Sequence, residues 1–429
     1  MRLICRKVYH FMPSTLAPDT TRSADKEQRT PPLAPFRSRD FSLLWFGSFV
    51  SQAGSQMQVV AVSWQVYELT KNPLALGAIG VARIVPLVLL ALGSGVLADA
   101  LDRRKLMLFS QIAMMLCSAA LAVASSLGIV TVWWIYITTA LSSAAGTLGM
   151  PARQAIVPSL VPREQLSSAL SLNIISWQAA TIMGPTLGGL IIAVWGTSAV
   201  YWIDAVSFLA VIAALLVMRV GAVVGERRPV NLRAALEGFD FVRKHTLIWS
   251  TMLLDFLATL LGSATVLLPL FATDILKVGS AGVGLLYAAP SVGAVAASAL
   301  LSVWGPLRRQ GPTLLIAVIL YGVFTAVFGL STSFWLSLLM LVGVGASDTV
   351  SMVVRQTIRQ LTTPDEMRGR MTAVGMLFFA GGPQLGEIEA GVAARLLGGP
   401  LSVAAGGLAC VVMVGVLAVL TPELRTYDR

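Results

Sequence analysis

Twelve apolar stretches, each near 20 residues long, run through this chain, and their length decides what it can fold into. They span about 42–67, 74–98, 106–127, 129–150, 168–194, 198–218, 247–272, 280–304, 312–330, 333–354, 371–394 and 398–420. A segment of about 20 apolar residues crosses a hydrocarbon core of roughly 30 Å as an α-helix. Lipid offers no partner to an unpaired backbone N–H or C=O, and no stretch alternates apolar and polar residues as a barrel strand does, so the spans are expected to be helices. Only 12% of the residues are charged and mean hydropathy is +0.79, against roughly 25% charged in soluble domains. A water-soluble globule is excluded, and an all-α membrane protein of twelve spans is expected.

The chain also repeats itself. Arg153-Gln154, Pro162-x-Glu164 and Gly184-Pro185-Thr186-Leu187-Gly188 return about 200 residues later as Arg355-Gln356, Pro364-x-Glu366 and Gly382-Pro383-Gln384-Leu385-Gly386. Pro86 with Arg103-Arg104 has a weaker echo in Pro290 with Arg308-Arg309. Two similar apolar halves mark a transporter whose halves move about a central site, so two pseudo-symmetric six-helix bundles are expected. The chain divides into a polar, proline-bearing tail over 1–40, disordered and cytoplasmic; a first bundle over 41–219; a linker over 220–246; a second bundle over 247–421; and a cytoplasmic tail over 422–429. Within the linker, Leu232, Ala235, Leu236, Phe239 and Phe241 alternate with charges in a pattern that suits an amphipathic helix on the cytoplasmic surface.

A net charge of +10 raises the question of nucleic acid, and its distribution answers it. With the amino terminus placed in the cytoplasm, every Lys and Arg falls on that side except Lys71, Arg83, Lys277 and Arg395. That asymmetry is the positive-inside rule and puts both termini in the cytoplasm; the partner of the charge is the bilayer, and no nucleic acid is expected. Residues 1–36 lack the apolar core and cleavage site of a signal peptide. The three cysteines, Cys5, Cys117 and Cys410, have no metal-ligand spacing and suggest no disulfide. No phosphate-binding Walker loop, metal triad or nucleophile with a base is present, so neither catalysis, nor a metal, nor a cofactor is expected. External connections near Gly128, Gly196 and Ser333 are too short to hold a domain that binds a protein ligand.

Between the second and third spans, Gly95-x-Leu97-Ala98-Asp99 is followed by Arg103-Arg104-Lys105. A glycine lets one helix end pack closely on another, and a carboxylate near guanidinium groups pairs with them and with a helix N-terminus. Gly95, Asp99, Arg103 and Arg104 are therefore expected to latch the cytoplasmic side in one state and release it in another. In the fifth span, Gly184, Pro185, Gly188 and Gly189 join a proline, which removes a backbone donor, to glycines that admit the opposite half.

On these residues the chain resembles the major facilitator superfamily, whose cytoplasmic loop motif runs Gly-x-Leu-x-Asp-Arg-x-Gly-Arg-Arg/Lys. It matches at Gly95, Leu97, Asp99, Arg103 and Arg104 and departs at Ala100 and Asp102. Met183 to Gly189 resembles the Gly-Pro-x-x-Gly-Gly motif of the superfamily's antiporters. Residues 151–173, 348–356 and 364–391 narrow the resemblance to the bacterial drug and siderophore exporter branch, which includes enterobactin and macrolide efflux proteins, over about 37–422. The resemblance implies a monomeric secondary active transporter in a bacterial inner membrane. It would export a small amphipathic drug, siderophore or metabolite by proton antiport through alternating access. One departure matters: many proton-coupled drug antiporters carry an arginine in the middle of the fourth span, and 129–150 has none. Two other readings are open. A greasy pathway for a lipid or lysophospholipid looks the same in sequence as a substrate cavity, and a membrane sensor that transports nothing could use the same scaffold.

A charge buried in a membrane helix costs roughly 2.5 to 3.5 kcal/mol, so those present point to function. Arg83, Asp204, Asp255, Asp348, Glu387 and Glu389 are the mid-span charges, and both histidines, His10 and His245, lie outside the spans. Any proton relay must then use carboxylates. At 1.5 Å per residue, Arg83 lies roughly 13 Å below the outer end of the second span and Glu387 roughly 24 Å above the inner end of the eleventh. In the fold the chain resembles, those two helices face each other. Arg83 and Glu387 are expected to pair on the outer side of the cavity and to part when Glu387 takes a proton, because burial disfavours a charged carboxylate and a nearby arginine favours it. Asp348 with Arg355, two turns apart, is either a static pair or a rival coupling site. Asp204 is expected to be solvated, and Glu389 to face away from Glu387. Asp255 is expected to meet a cationic substrate, with Gln52, Gln56 and Trp64 lining a mostly apolar cavity or acting only as packing between helices.

Overall fold

The computed structural model describes residues 31–100, 102–218, 232–305 and 309–428, with the side chains of 91–100 and of scattered positions in the linker helix and the eleventh span outside that description. The described residues are helical, with no strand among them. Helices α1 (Arg39–Thr70), α2 (Pro73–Ala100), α3 (Arg103–Ser126) and α4 (Val132–Ile156) make the first four crossings. The fifth and sixth belong to one continuous helical stretch, α5 (Leu166–Val217), which doubles back at Gly196, where φ is +79° and ψ 177°. Only glycine adopts that backbone without strain, and no other heavy atom would touch a Cβ there, so conformation is what requires it. After the linker helix α6 (Leu232–Lys244) come α7 (Thr246–Leu261), the single turn α8 (Leu268–Leu270), α9 (Gly279–Trp304), α10 (Gln310–Leu330), α11 (Phe334–Thr362), α12 (Asp365–Leu397), α13 (Gly399–Leu420) and the short α14 (Pro422–Thr426). Ser38, Asp102 and Thr131 accept hydrogen bonds from the first-turn amides of α1, α3 and α4 and so fix where those helices start.

Two boundaries differ from the sequence expectation. The tail was set at 1–40, but the described part of it, from residue 31, is ordered: Ala34–Arg37 form a 3₁₀ turn, Phe36 packs edge-on against Trp45, and Ser38 donates to the carbonyl of Leu160 at 3.0 Å. Residues 1–30 lie outside the described residues. The seventh crossing is not one helix. α7 ends at Gly262, and a 3₁₀ turn, α8 and a π-turn (Phe271–Ile275) continue the crossing. The cause is local: Tyr321 donates to the Gly262 carbonyl at 3.2 Å, and its ring lies so close that a Cβ on Gly262 would meet it at 2.4 Å. Linker residues 219–231 also lie outside the described residues, while α6 folds as a helix that buries Val242, stacks Phe239 edge-on against Trp249, and places Glu237 3.1 Å from Arg370 of α12.

Eight helical stretches are apolar enough to cross a membrane by mean hydropathy, one of them holding both arms of α5. α1, α4 and α12 complete the twelve crossings but fall short of that hydropathy. The reason is their polar content: Gln52, Gln56, Gln58 and Gln65 on α1, Ser142, Ser143 and Thr147 on α4, and Gln384, Glu387 and Glu389 on α12. Such residues are tolerated at membrane depth when they face a neighbouring helix or a cavity.

α1 to α5 pack together as one bundle and α7 to α13 as another. One end of the molecule carries Arg103, Arg104, Lys105, Arg153, Arg163, Arg309 and Arg359 and is called here the basic end; the other carries the short turns at 127–131, Gly196, 331–333 and Gly398. The bundles meet through two helix crossings, α2 with α12 and α5 with α9. Both are close backbone contacts. A Cβ on Gly77 would lie 2.9 Å from Gly391 Cα, and one on Gly189 would lie 2.5 Å from the Ser280 carbonyl oxygen and 2.8 Å from Gly284 Cα. Toward the short-loop end, Tyr67 of α1 donates to Asp274 of the π-turn, and Tyr287 of α9 donates to Ser63 Oγ of α1 at 2.9 Å.

Candidate functional site

Arg83 stands in the third turn of α2, one turn before Pro86, and Glu387 stands one turn after Pro383 in α12. Arg83 Nη1 lies 2.9 Å from Glu387 Oε1, with side chains 24% and 15% exposed. The pair therefore spans the α2–α12 crossing and joins the two bundles. Ser143 of α4 donates to the Arg83 carbonyl at 3.0 Å and steadies that turn of α2. The second carboxylate oxygen of Glu387 is buried and has no hydrogen-bond partner among the described residues.

Below this pair, on the basic side, lies a cavity of about 400 Å³. Ser55, Gln58, Val59 and Val62 of α1 line it with Arg83 and Leu87 of α2, Met114 of α3, a run of α4 from Thr139 to Met150, and Gln384 of α12. Its walls mix methyl and thioether surface with hydroxyls, amides and one guanidinium, which suits an amphipathic guest of moderate size.

Of the two readings the sequence leaves open for Gln52, Gln56 and Trp64, the contacts are those of packing between helices. Gln52 turns back to donate to the Ser48 carbonyl at 3.0 Å, Gln56 donates to Thr181 of α5 at 3.1 Å, and Trp64 packs into the apolar core at the short-loop end. These three hold helices together, and the cavity takes the neighbouring face of α1. Gly184 and Gly188 explain why: a Cβ on either would meet Gln56 or Met57, so α5 lies directly on that side of α1. Gly184 and Gly188 thus set packing within the first bundle, whereas Gly189 and the Pro185 carbonyl face α9 across the bundle interface.

A second cluster occupies the other bundle toward the basic end. Arg355 Nη2 of α11 lies 2.9 Å from Asp255 of α7 and 3.6 Å from Asp348, and Arg359 reaches Asp255 at 4.0 Å. Asp255 does line a cavity of about 270 Å³ with Met352, Gln356, Arg359, Gln360, Met371, Gly375 and Phe379. Its carboxylate, however, is already engaged by a buried arginine, which argues against a free anionic site for a cation. Asp204, expected to be solvated, is wholly buried between α5, α1 and α3. Glu389 turns away from Glu387 to a small cleft beside Gly262 and Thr325.

At the loop between α2 and α3, the Asp99 side chain and the surroundings of Gly95 lie outside the description. Asp102, a departure from the loop motif, caps α3. Arg103 opens α3, half-buried. Arg104 donates to the carbonyls of Leu215 at 2.6 Å and Leu216 at 3.0 Å, capping the second arm of α5 within its own bundle.

Comparison with known proteins agrees with this architecture. The chain is 29% identical to the multidrug efflux pump Tap of Mycolicibacterium fortuitum over 405 residues, covering 90% of this chain and 96% of that protein. It is 27% identical to the enterobactin exporter EntS of Shigella boydii serotype 18 over 396 residues, covering 91% and 93%. Among solved structures, a bacterial homologue of the iron transporter ferroportin in an inward-facing state superposes with a TM-score of 0.69 at 17% identity, over 91% of this chain and 99% of that one. An inward-facing bacterial homologue of the lysosomal transporter Spinster gives 0.69 at 14% identity, over 91% and 96%. The transmembrane secretion effector family model matches residues 30–429. The chain therefore belongs to the transmembrane secretion effector family, within the major facilitator superfamily, and is a multi-pass transporter of a bacterial cell membrane rather than an enzyme.

Proposed function

We propose that the chain exports small amphipathic molecules by proton antiport, with the basic end in the cytoplasm and the state described here open toward it. The Arg83–Glu387 ion pair carries this reading, because it crosses between the bundles beside a cavity of about 400 Å³. Relatives over most of the chain are named as a multidrug efflux pump and an enterobactin exporter, which supports efflux and an amphipathic cargo. The concentration of Lys and Arg at one end supports the sidedness.

In the cycle, Glu387 ionised and paired with Arg83 holds the outer side closed while cargo enters from the cytoplasm. A proton that reaches Oε2 from the outside neutralises the carboxylate and leaves the Arg83 guanidinium facing an uncharged acid, which weakens the contact and favours separation of α2 from α12. Deprotonation toward the cytoplasm restores the pair. The chain works as a monomer, its substrate pathway lying between its own two bundles. Proteoliposomes loaded with ethidium test this under an imposed pH gradient. Glu387→Gln should insert normally and lose gradient-driven movement; unchanged movement in that variant refutes the coupling role.

A further inference from the structure

Asp204 is used by nothing described so far. It sits in the second arm of α5, wholly buried. Its Oδ2 lies 2.5 Å from Ser118 Oγ of α3 and its Oδ1 3.3 Å from Ser55 Oγ of α1. Gly54 of α1 approaches so closely that a Cβ there would lie 2.9 Å from Oδ1. Three helices are thus shaped around this carboxylate. Among the described residues no Lys or Arg forms an ion pair with it. The titratable groups at its level are Tyr201 on its own arm, whose hydroxyl donates to Gln65 of α1, and Cys117, next to Ser118 on α3; Arg39, Asp40, Tyr67 and Glu68 of α1 and Arg103, Arg104 and Lys105 of α3 lie several turns along their helices from Ser55 and Ser118. Arg83 lines the same cavity as Ser55 and Gln58 and is paired with Glu387.

Ser118 shows which form of the carboxyl group this niche accommodates. Its hydroxyl has one hydrogen but two acceptors within reach, Asp204 Oδ2 at 2.5 Å and Gln58 Oε1 at 3.0 Å. With a proton on Oδ2, Asp204 donates to Ser118 and Ser118 donates to Gln58, so each contact has its hydrogen. Without it, one oxygen pair faces with no hydrogen between them, and a buried anion lacks a compensating cation. Ser55 and Gln58 also line the 400 Å³ cavity and provide a short polar path from Asp204 to it.

We propose that Asp204 is a second proton-binding site, in the first bundle, loaded and emptied through Ser55, Gln58 and Ser118 from the central cavity. The inference deepens the proton-coupled reading by adding a carrier outside the bundle interface, and its test does not use transport.

Infrared spectra of the purified protein in lipid nanodiscs, in H₂O and D₂O, read the carbonyl stretch of a protonated buried acid directly. At neutral pH the wild type should show such a band; Asp204→Asn should remove it and Glu387→Gln should leave it in place. Ser118→Ala, which keeps the carboxyl group, should shift the band to higher frequency and serves where the Asn variant fails to insert. A band that survives Asp204→Asn, or one unmoved in Ser118→Ala, overturns the assignment. So does a band that appears in choline buffer and vanishes in sodium, which would make the niche a metal-cation site.

Discussion

Adding one methyl group at Gly189 tests whether the two bundles rock. A Cβ there would lie 2.5 Å from the Ser280 carbonyl oxygen and 2.8 Å from both N and Cα of Gly284. These are backbone atoms of α9 and cannot rotate aside. The first distance falls about 0.9 Å short of the 3.4 Å at which ordinary contact begins, so α5 and α9 must separate or the closed crossing must carry the strain. Overpacking of this kind costs about 1–3 kcal/mol. Because the contact lies between bundles, the cost falls on the state with the short-loop end closed, and the conformational equilibrium should move by about 5- to 150-fold toward the other state. Gly184→Ala is the control. Its Cβ would lie 2.5 Å from Gln56 Cβ and 2.8 Å from the Ala53 carbonyl, both inside the first bundle, so it should lower stability without favouring either state.

Electron-spin distance measurements between labels at Leu127 and Leu401, on opposite bundles at the short-loop end, report the equilibrium. A second pair at Lys105 and Leu361 reports the basic end. Gly189→Ala should populate longer distances at the first pair and shorter ones at the second, and Gly184→Ala should alter neither. Identical distributions in wild type and Gly189→Ala, or an equal shift in Gly184→Ala, refute the rocking of intact bundles about these crossings.

Three further outcomes follow from named contacts. Asp255→Asn leaves Arg355, only 3% exposed, without its 2.9 Å partner and with Asp348 at 3.6 Å in its place; a broken buried pair costs up to about 3–5 kcal/mol, so thermal unfolding in detergent should begin lower, and Asp255→Leu combined with Arg355→Met and Asp348→Asn should recover most of the loss. An Asp255→Asn midpoint equal to wild type contradicts this account of the cluster. Arg104→Gln removes a charged cap from the Leu215 and Leu216 carbonyls, worth about 1.5 to 3 kcal/mol, and should raise amide exchange at the end of α5 without touching the Gly189 crossing. Tyr67→Phe deletes the hydroxyl bonded to Asp274 across the bundles and should shift the same spin-label pairs in the direction of Gly189→Ala, by a smaller amount.

Spans and their number were legible because lipid enforces them: a helix must be long and apolar to cross, and Gly196 and Gly398 mark where the chain turns back at positive φ. Depth counted along two helices was also enough to bring Arg83 and Glu387 to one level. What depth cannot supply is the direction of a side chain around its helix, which depends on neighbours distant in sequence. Gln56 points at Thr181 and Gly184, residues more than a hundred positions away, and so the sequence leaves it open between cavity lining and helix packing. Asp204 failed for the same reason. Distance from a span end made it look wet, whereas burial came from Gly54 and Ser118 on two other helices. The break at Gly262 was hidden because Tyr321, which holds it, belongs to α10.

One sequence signal for the site lay in the repeat itself. Counting from Gly184-Pro185 and Gly382-Pro383, Glu387 occupies the place of Gly189; counting from Pro86 and Pro290, Arg83 occupies the place of Tyr287. The two crossings are thus copies of one contact. In one copy a glycine admits α9 at van der Waals distance, and in the other the same position carries a carboxylate facing a guanidinium. Packing alone accepts the glycine version, as α5 and α9 demonstrate, so packing does not explain a charge pair that costs insertion energy in every molecule made. Nor can titration of that pair reverse the equilibrium unaided. Removing one charge of a buried pair is worth at most about 3–5 kcal/mol, whereas swinging a population from one state to the other takes about 5.5 kcal/mol. The remainder must come from cargo held in the cavity and from other groups that change charge in the cycle. Proton and substrate must then act together, so a proton gradient without ethidium should leave the spin-label distances close to their resting values, and ethidium without a gradient should do the same. A full opening of the short-loop end by either one alone would show that the pair is not the element through which they are coupled.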